Sequence, residues 1–278
     1  TNFHFKNKNF IDYFIDNHHE RVFSIDQADI IYSPNMYIDI HKYPLKKFIF
    51  GPHFSVFPNS VVQKFNNIHG NGIYIQPSQP SVNSWQIEFN FNKLPMYSIP
   101  FGVDTEKFKP CVDRGSRVNV IVYYKSRDPK DYEILLSFLK KKKIQYKVFN
   151  YQTKYNENEF ISYLKTCKYG IVLGAHESQG FAIQEMLSLD VPLFVWGVSL
   201  RKQAYPYVSQ YFHVKSTVST VPYWSKNCGE LIYNVSDLDT AFDLFLKTLN
   251  HYQPRKFILE NVSRVKCCEK WNELLHKL

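Results

Sequence analysis

Two glutamates, Glu177 and Glu185, flank a short polar segment that contains Gly180. If a helix begins near residues 178–180, Glu185 lies about 10–12 Å beyond Glu177 along its axis, at ~1.5 Å per residue. The first turn of such a helix has backbone N–H groups without partners and the positive end of the dipole, and a glycine there lets a phosphate approach closely. Carboxylates accept hydrogen bonds from pairs of hydroxyl groups. The spacing therefore favours a nucleoside-diphosphate sugar, with its sugar near Glu177 and its ribose near Glu185.

The elements around this segment are predicted to place it at the edge of a sheet. Residues 169–174 form an apolar run closed by glycine, which is typical of a buried strand, and residues 193–197 form a second such run after Asp-Val-Pro. A strand, a helix and a strand in this order predict one parallel crossover unit. Two acids at this spacing would by themselves rather indicate a solvated surface helix. The buried strand, the glycine and the Asp-Val-Pro exit favour the binding site instead.

Two stretches carry a family resemblance. Residues 177–192 resemble the E-x7-E signature of the retaining family-4 glycosyltransferases, and residues 99–110 resemble the segment that links the two domains of those enzymes. The resemblance implies an α/β protein with the GT-B fold, in which two Rossmann-like domains enclose a cleft. The implied parts are an acceptor-side domain over residues 1–102, a nucleotide-sugar-binding domain over residues 103–254, and a terminal amphipathic helix over residues 255–278 that packs back on the first domain.

The resemblance also implies two catalytic residues. Glu177 would orient the donor sugar. His53 follows the strand predicted for residues 47–50, and ligands bind beyond strand ends in open α/β sheets. In the family, a histidine at such a position faces the donor sugar. The alternative is a histidine that caps a turn or packs on Phe54 and Phe57.

The diphosphate would be held from two sides. One side is the helix start, with its four residues Ser178, Gln179, Gly180 and Phe181. The other is the loop after the strand predicted for residues 118–124, where family members place an arginine and a lysine five positions apart. Here Lys125 and Lys130 have that spacing, and Arg127 is a further candidate. A lysine in place of the arginine gives a point charge instead of a bidentate fork. For each cation alone, a solvated loop charge is an equal alternative.

The nucleobase has a weaker set of candidates. The strand predicted for residues 144–151 ends in Phe149, Asn150 and Tyr151, which would reach a base from the strand exit. Packing in the core or in a loop is the competing interpretation of these aromatic side chains. Residues 237–239 have the D-x-D letters of metal-dependent glycosyltransferases, but they precede a helical pattern. We interpret Asp237 as a helix cap, and we expect no metal and no cofactor besides the sugar nucleotide.

Composition and charge restrict the remaining possibilities. Residues 1–105 hold eight Lys or Arg and eight Asp or Glu, whereas residues 106–278 hold twenty-six and seventeen, so the net charge of +9 belongs to the half that would bind the diphosphate. The five cysteines show no disulfide or zinc spacing, and with no apparent signal sequence they favour a cytoplasmic protein. No apolar run is long enough for a membrane span. No concentrated Arg/Lys–aromatic module indicates nucleic-acid binding.

The sequence thus predicts a glycosyltransferase that moves a sugar from a UDP-sugar to a hydroxyl of a glycan or glycoprotein. Residues 50–53, 124–127 and 177–181 also resemble glycosyltransferases encoded by chloroviruses, which implies xylose as the sugar and the host cytoplasm as the location. The E-x7-E motif suggests retention of configuration. A β-linked product would need inversion, with His53 or an aspartate as base. The alternatives are a nucleotide-sugar 2-epimerase with the same fold and a basic nucleic-acid-binding protein.

Overall fold

The fold is taken from a computed structural model, which describes residues 3–5, 25–53, 70–89, 95–204 and 218–278. The chain divides into two compact units, one of residues 1–100 with 267–278 and one of residues 101–266. The first boundary lies two residues before the predicted one, and the predicted terminal segment is shared between the units. The five cysteines are all free thiols. Within the described residues, no helix combines the length and the apolarity that crossing a membrane requires.

The first unit is built on a five-stranded sheet. Its elements are β1 (Phe3–Phe5), β2 (Ile30–Ser33), β3 (Lys47–Phe50), β4 (Gly72–Gln76), α1 (Gln79–Phe89) and β5 (Met96–Ser98). The strands lie in the order β1-β2-β3-β4-β5. The pairing of β1 with β2 is antiparallel and the others are parallel. The C-terminal residues 267–278 complete this unit.

Alternating strand residues give this sheet two apolar faces. On one face, Phe48 and Tyr74 pack with Trp85 of α1, and the ring centroids of Tyr74 and Trp85 are 4.8 Å apart. On the other face, Ile49 packs with Leu274 from the C-terminal residues. Helix α1 begins at Gln79. Pro80 falls in its first turn, where a missing N–H does not break the helix.

The second unit has a parallel five-stranded sheet. Its elements are β6 (Asn119–Lys125), α2 (Pro129–Lys141), β7 (Lys147–Asn150), α3 (Glu157–Leu164), β8 (Cys167–Gly174), α4 (Phe181–Ser188), β9 (Leu193–Trp196), α5 (Arg201–Ala204), β10 (Gly229–Ile232), α6 (Leu238–Lys247), α7 (Pro254–Asn261) and α8 (Arg264–Lys277), whose last residues belong to the first unit. The strand order is β10-β9-β8-β6-β7, with parallel pairing throughout.

Both faces of this sheet are buried, as the continuous apolar strands predict. Ile121 and Tyr123 of β6 face a core that includes residues of α3, α4 and α7. Val120, Val122 and Tyr124 face a core that includes residues of α2 and α6. The chain passes from β6 to β7 on one side and then returns to β8 on the other side of β6. The order thus reverses at β6, and in such sheets ligands bind at the carboxyl ends of the strands beside this switch point.

One predicted helix is wrong, and one predicted helix cap is confirmed in position only. The segment predicted as one terminal helix is two helices, α7 and α8, because backbone groups at the junction bond elsewhere. Val103 N–H donates to Val262 O at 2.9 Å, and Arg264 N–H donates to Val103 O at 3.2 Å. At the start of α6, Asp237 occupies the predicted N-cap position, but its side chain makes no capping hydrogen bond to the helix. Its carboxylate instead accepts hydrogen bonds from the side chains of Asn234 and Ser236.

Candidate active site

A cavity of about 220 Å³ lies at the carboxyl ends of the strands of the second unit. Three strand exits meet there. Lys125 is the last residue of β6, Tyr151 follows β7, and Glu177 lies in the loop after β8. Helix α4 contributes Glu185 from its second turn. The cavity therefore contains the two glutamates of the sequence motif and one of the predicted cations.

Glu177 and Lys125 form an ion pair inside this cavity. The Lys125 ammonium lies 2.8 Å from one carboxylate oxygen of Glu177 and 2.9 Å from the other. The side chain of Glu177 is only 10% exposed, and that of Lys125 is 24% exposed. Burial raises the pKa of Glu177, and the ammonium partly offsets this rise. Lys125 also lies 4.3 Å from the centroid of the Tyr151 ring, so an aromatic face shields the pair from one side.

The N-terminus of α4 has no side-chain cap. Its N-cap residue is Gly180, which is left-handed at φ 74° and ψ 49°, and the helix begins at Phe181 rather than near Ser178. A β-carbon on Gly180 would meet its nearest neighbour at 3.5 Å, so the backbone angle and not the space calls for glycine. The first backbone N–H groups of α4 are without helical partners. Their end of the helix favours an anion between Glu177 and Glu185.

Gln179 has a structural task beside that helix end. Its amide oxygen accepts from Phe101 N–H at 3.2 Å, and its amide nitrogen donates to Phe101 O at 3.0 Å and to the Gln184 side chain at 2.9 Å. Phe181 is 55% exposed and lines the cavity, and its ring lies 5.7 Å from that of Phe101. Of the predicted diphosphate segment, Phe181 lines the cavity, whereas Ser178, Gln179 and Gly180 do not.

Glu185 lines the other end of the cavity, where its carboxyl has different charged neighbours from that of Glu177. Its pKa is raised to about 7, chiefly by burial; the charge of Lys107 opposes this rise, and the nearby Glu157 adds to it. All three side chains line the cavity. Glu185 is therefore an acid that changes charge near neutral pH, at the position where the sequence predicts the ribose hydroxyls.

The other two predicted cations lie elsewhere. Arg127 is 6% exposed, and its guanidinium bonds Asp131 at 2.6 Å, Gly197 O at 3.1 Å and Gly174 O at 3.3 Å. It therefore ties the ends of β8 and β9 to α2. Lys130 is exposed in the first turn of α2, and its backbone N–H donates to the N-cap residue. Neither side chain lines the cavity.

Of the three predicted base-binding residues, one lines the cavity and two do not. Phe149 is 2% exposed and packs in the core against Tyr155 and Phe160. The side chain of Asn150 accepts from Gln152 N–H at 2.9 Å and caps a short turn. Tyr151 is 52% exposed and lines the cavity. It is the member of the set that can contact a ligand there.

His53 belongs to the first unit, at the exit of β3. Its side chain is exposed, and its backbone N–H donates to Pro34 O at 2.8 Å. Gly51 precedes it at φ 87°, where a β-carbon would lie 2.4 Å from Ile75 O, so the turn that presents His53 requires glycine. Phe54 and Phe57, the alternative packing partners, lie outside the described residues.

Sequence reasoning missed eight further residues that line the cavity, namely Lys107, Phe108, Tyr123, Tyr155, Glu157, Phe160, Ile161 and Ala182. Lys107 and Phe108 come from the segment after residue 100, and Tyr155 and Glu157 come from the start of α3. The sequence contained a signal for Lys107 and Phe108, since both lie within residues 99–110, the second stretch that resembles the glycosyltransferase family. Within the described ranges, no group of three or more His, Cys, Asp or Glu could hold a metal ion.

Comparison with known proteins connects this architecture to solved structures. The chain is similar to the sucrose-phosphate synthase from Thermosynechococcus elongatus, with a TM-score of 0.53 and 10% identity over 86% of this chain and 69% of that one. It is also similar to the wall teichoic acid polymerase TagF, with a TM-score of 0.39 and 14% identity over 90% of this chain and 72% of that one. No protein-family model matches the sequence. No curated protein matches it either. At this identity the first likeness is one of architecture, and it shows that the chain has the GT-B fold, with two Rossmann-like units.

Proposed function

We propose that this protein is a glycosyltransferase that moves a sugar from a UDP-linked donor to a hydroxyl of a glycan or glycoprotein. The observation that carries the proposal is the position of Glu177 and Glu185 in one cavity, with the uncapped start of α4 between them and Lys125 beside Glu177. A diphosphate at the helix start would have the sugar on the Glu177 side and the ribose on the Glu185 side.

Each group has a chemical task in this proposal. As the bond between the sugar and the diphosphate breaks, negative charge grows on the leaving phosphate, and the helix N-terminus and Lys125 would stabilise it. Glu177 would orient the sugar hydroxyls, and Glu185 would accept hydrogen bonds from the ribose. Tyr151 offers an exposed aromatic face for the base. Arg127 and Phe149 take no part, because their side chains are held in buried contacts.

The finer assignments rest on the resemblance alone. Xylose as the donor sugar is supported by the likeness of residues 50–53, 124–127 and 177–181 to chlorovirus glycosyltransferases. The E-x7-E motif supports retention, and His53 is the candidate base if the configuration inverts. Lys130 remains a candidate for the diphosphate, since a long side chain in the first turn of α2 can change its direction.

The test is a thermal-shift panel of nucleotides with variants. UDP, CDP, GDP and ADP are compared, and then UDP-xylose with UDP-glucose, because a ligand that binds only the native state raises the melting temperature. We expect uridine nucleotides at 100 times their Kd to stabilise the fold by about 2.7 kcal/mol. Glu185→Gln should reduce that shift, whereas Glu133→Gln, an exposed acid on α2, should not. Equal shifts for all nucleotides in all three proteins would contradict the proposal.

Activity decides between transfer and the epimerase alternative. The donor that gives the largest shift is incubated with and without a pool of glycan acceptors. We expect release of UDP to depend on the acceptor. Conversion of the donor to its 2-epimer without any acceptor would instead identify an epimerase.

A further inference from the structure

The cavity is bordered by an arm of residues 101–108 that lies along α4. Gln179 holds the arm at its start through both backbone groups of Phe101. Ser188 holds it at its end, where the hydroxyl donates to Phe108 O at 2.8 Å. The arm is therefore bonded near both ends of α4. Its backbone therefore keeps a fixed position relative to α4.

Arg255 fixes the same arm from α7. One guanidinium nitrogen donates to Phe108 O at 3.0 Å and to Ser188 O at 2.8 Å, and the other donates to Thr105 O at 3.1 Å. Within the arm, the Asp104 carboxylate accepts from Lys107 N–H at 2.9 Å. The backbone of Lys107 is thus held, whereas its side chain is exposed at the cavity.

The charges of the cavity leave Lys107 available for an anion. Among the described residues, the cations that line the cavity are Lys107 and Lys125. Lys125 is already bonded to both oxygens of Glu177. The cavity also holds the carboxyls of Glu157 and Glu185. A diphosphate brings at least two negative charges to a cavity that already holds the carboxyls of Glu157 and Glu177, so the helix end and Lys125 alone leave an excess of negative charge.

We infer that Lys107 is a second phosphate-binding cation of the donor site, and this inference rests on the proposed function. Lys107 belongs to the arm and Lys125 to the end of β6, so the two cations would approach the diphosphate from separate segments. Lysine suits this task because a point charge on a flexible stem can follow a phosphate that moves during the reaction.

A purely structural task for Lys107 makes a different prediction. If the ammonium only balances the charge of Glu185, its removal would disturb the ribose contact, which UDP and uridine share. If the ammonium binds phosphate, its removal weakens the binding of UDP and leaves the binding of uridine unchanged. The ratio of the two affinities therefore separates the two tasks.

The experiment measures the Kd of UDP and of uridine for three full-length proteins: wild type, Lys107→Gln and Lys109→Gln. Lys109 is the matched control, because it is exposed on the following turn of the chain and pairs with Glu106 at 3.6 Å. We expect Lys107→Gln to weaken UDP about tenfold or more, as for loss of a charged hydrogen bond, with uridine unchanged. Its UDP affinity should also depend less on salt.

The outcomes separate this inference from the proposal beneath it. If the wild type binds UDP and Lys107→Gln binds it equally well, the inference is overturned and the proposed function stands. If Lys107→Gln binds UDP and uridine more weakly by the same factor, Lys107 only balances the charge of Glu185, and the inference is overturned as well. If the wild type binds no UDP, the proposed function fails and the inference fails with it.

Discussion

The two ends of the cavity differ in how their glutamates are neutralised. At the Glu177 end, a lysine contacts both carboxylate oxygens within 2.9 Å. At the Glu185 end, burial raises the pKa to about 7, and the opposing charge of Lys107 reduces the rise without abolishing it. One acid is balanced by a counter-charge and the other by a proton.

This difference teaches how a ligand would meet each end. A diphosphate that draws Lys125 away leaves Glu177 to find hydroxyl partners, so the ion pair can be exchanged for a sugar contact. At the other end, hydroxyl donors favour the ionised form of Glu185 over the neutral form, so binding there would release a proton. The predictions below test this contrast.

The largest expected effect is on the ion pair. Lys125→Met leaves Glu177 buried without its counter-charge, and we expect it to lower the free energy of unfolding by roughly 3 kcal/mol at pH 8. The double variant with Glu177→Gln should recover most of this loss, because no charge then remains in the buried site. Urea unfolding of the three proteins measures both effects.

An exposed ion pair provides the control. Lys147 pairs with Glu159, and both side chains are about half exposed, at 43% and 53%. Lys147→Met should therefore change the free energy of unfolding by less than about 1 kcal/mol. If Lys125→Met has no greater effect than Lys147→Met, the two ends of the cavity do not differ in the way described.

The next effect concerns Glu185 and pH. The folded-state pKa of about 7 lies above the ordinary value of 4.5. The folded protein therefore holds this proton more tightly than the unfolded chain, and its free energy of unfolding falls as the pH rises from about 4.5 to about 7. The difference between the two pKa values sets a ceiling of roughly 3.5 kcal/mol, at ~1.4 kcal/mol per pKa unit, and partial exposure lowers this ceiling.

Glu185→Gln isolates this contribution. The variant should lack that part of the pH dependence, so its advantage over the wild type should grow between pH 5 and pH 8. Unfolding curves at both pH values measure the difference, with Glu133→Gln as the exposed control. An unchanged difference between wild type and Glu185→Gln across this range would place the pKa of Glu185 near its ordinary value.

The contrast between the two ends was only partly accessible from sequence. The ends of the strands can be predicted from apolar runs and from the polar residues or glycines that follow them. Lys125, Tyr151 and Glu177 could therefore be assigned to one edge of the sheet. Whether a side chain then faces the cavity depends on local backbone angles. Ser126 has φ 52°, and the chain beyond it turns Arg127 into the protein rather than toward the cavity.

Long-range contacts account for the remaining misses. Lys107 borders the cavity because Arg255, which is 150 residues from Thr105 in sequence, holds its segment along α4. No periodicity in either segment predicts that contact. The break between α7 and α8 has the same origin. Val262 O and Arg264 N–H form hydrogen bonds with the backbone of Val103, whereas in one continuous helix they would bond within the helix.

A smaller effect is expected at the glycine between the two ends. Gly180→Ala forces a left-handed angle on a residue with a side chain, which should cost about 1–2 kcal/mol of stability. The methyl group would also stand at the helix end, so UDP binding should weaken. Gly70→Ala is the control, because Gly70 has φ 98° and open space around it in the first unit. It should lose comparable stability and keep its UDP affinity, and equal UDP affinities in both variants would argue against a phosphate at α4.

The smallest expected effect is on the arm that presents Lys107. Ser188→Ala removes one buried hydrogen bond to Phe108 O, which still accepts from Arg255, so stability should fall by about 1 kcal/mol. A looser arm should weaken UDP by about twofold and leave uridine unchanged. Ser78→Ala, which removes a buried serine bonded to Ser81 in the first unit, should lower stability without this split. Titrations of each protein with UDP and with uridine measure these affinities. If Ser188→Ala binds both ligands as tightly as the wild type does, the remaining contacts of Arg255 and Gln179 suffice to hold the arm.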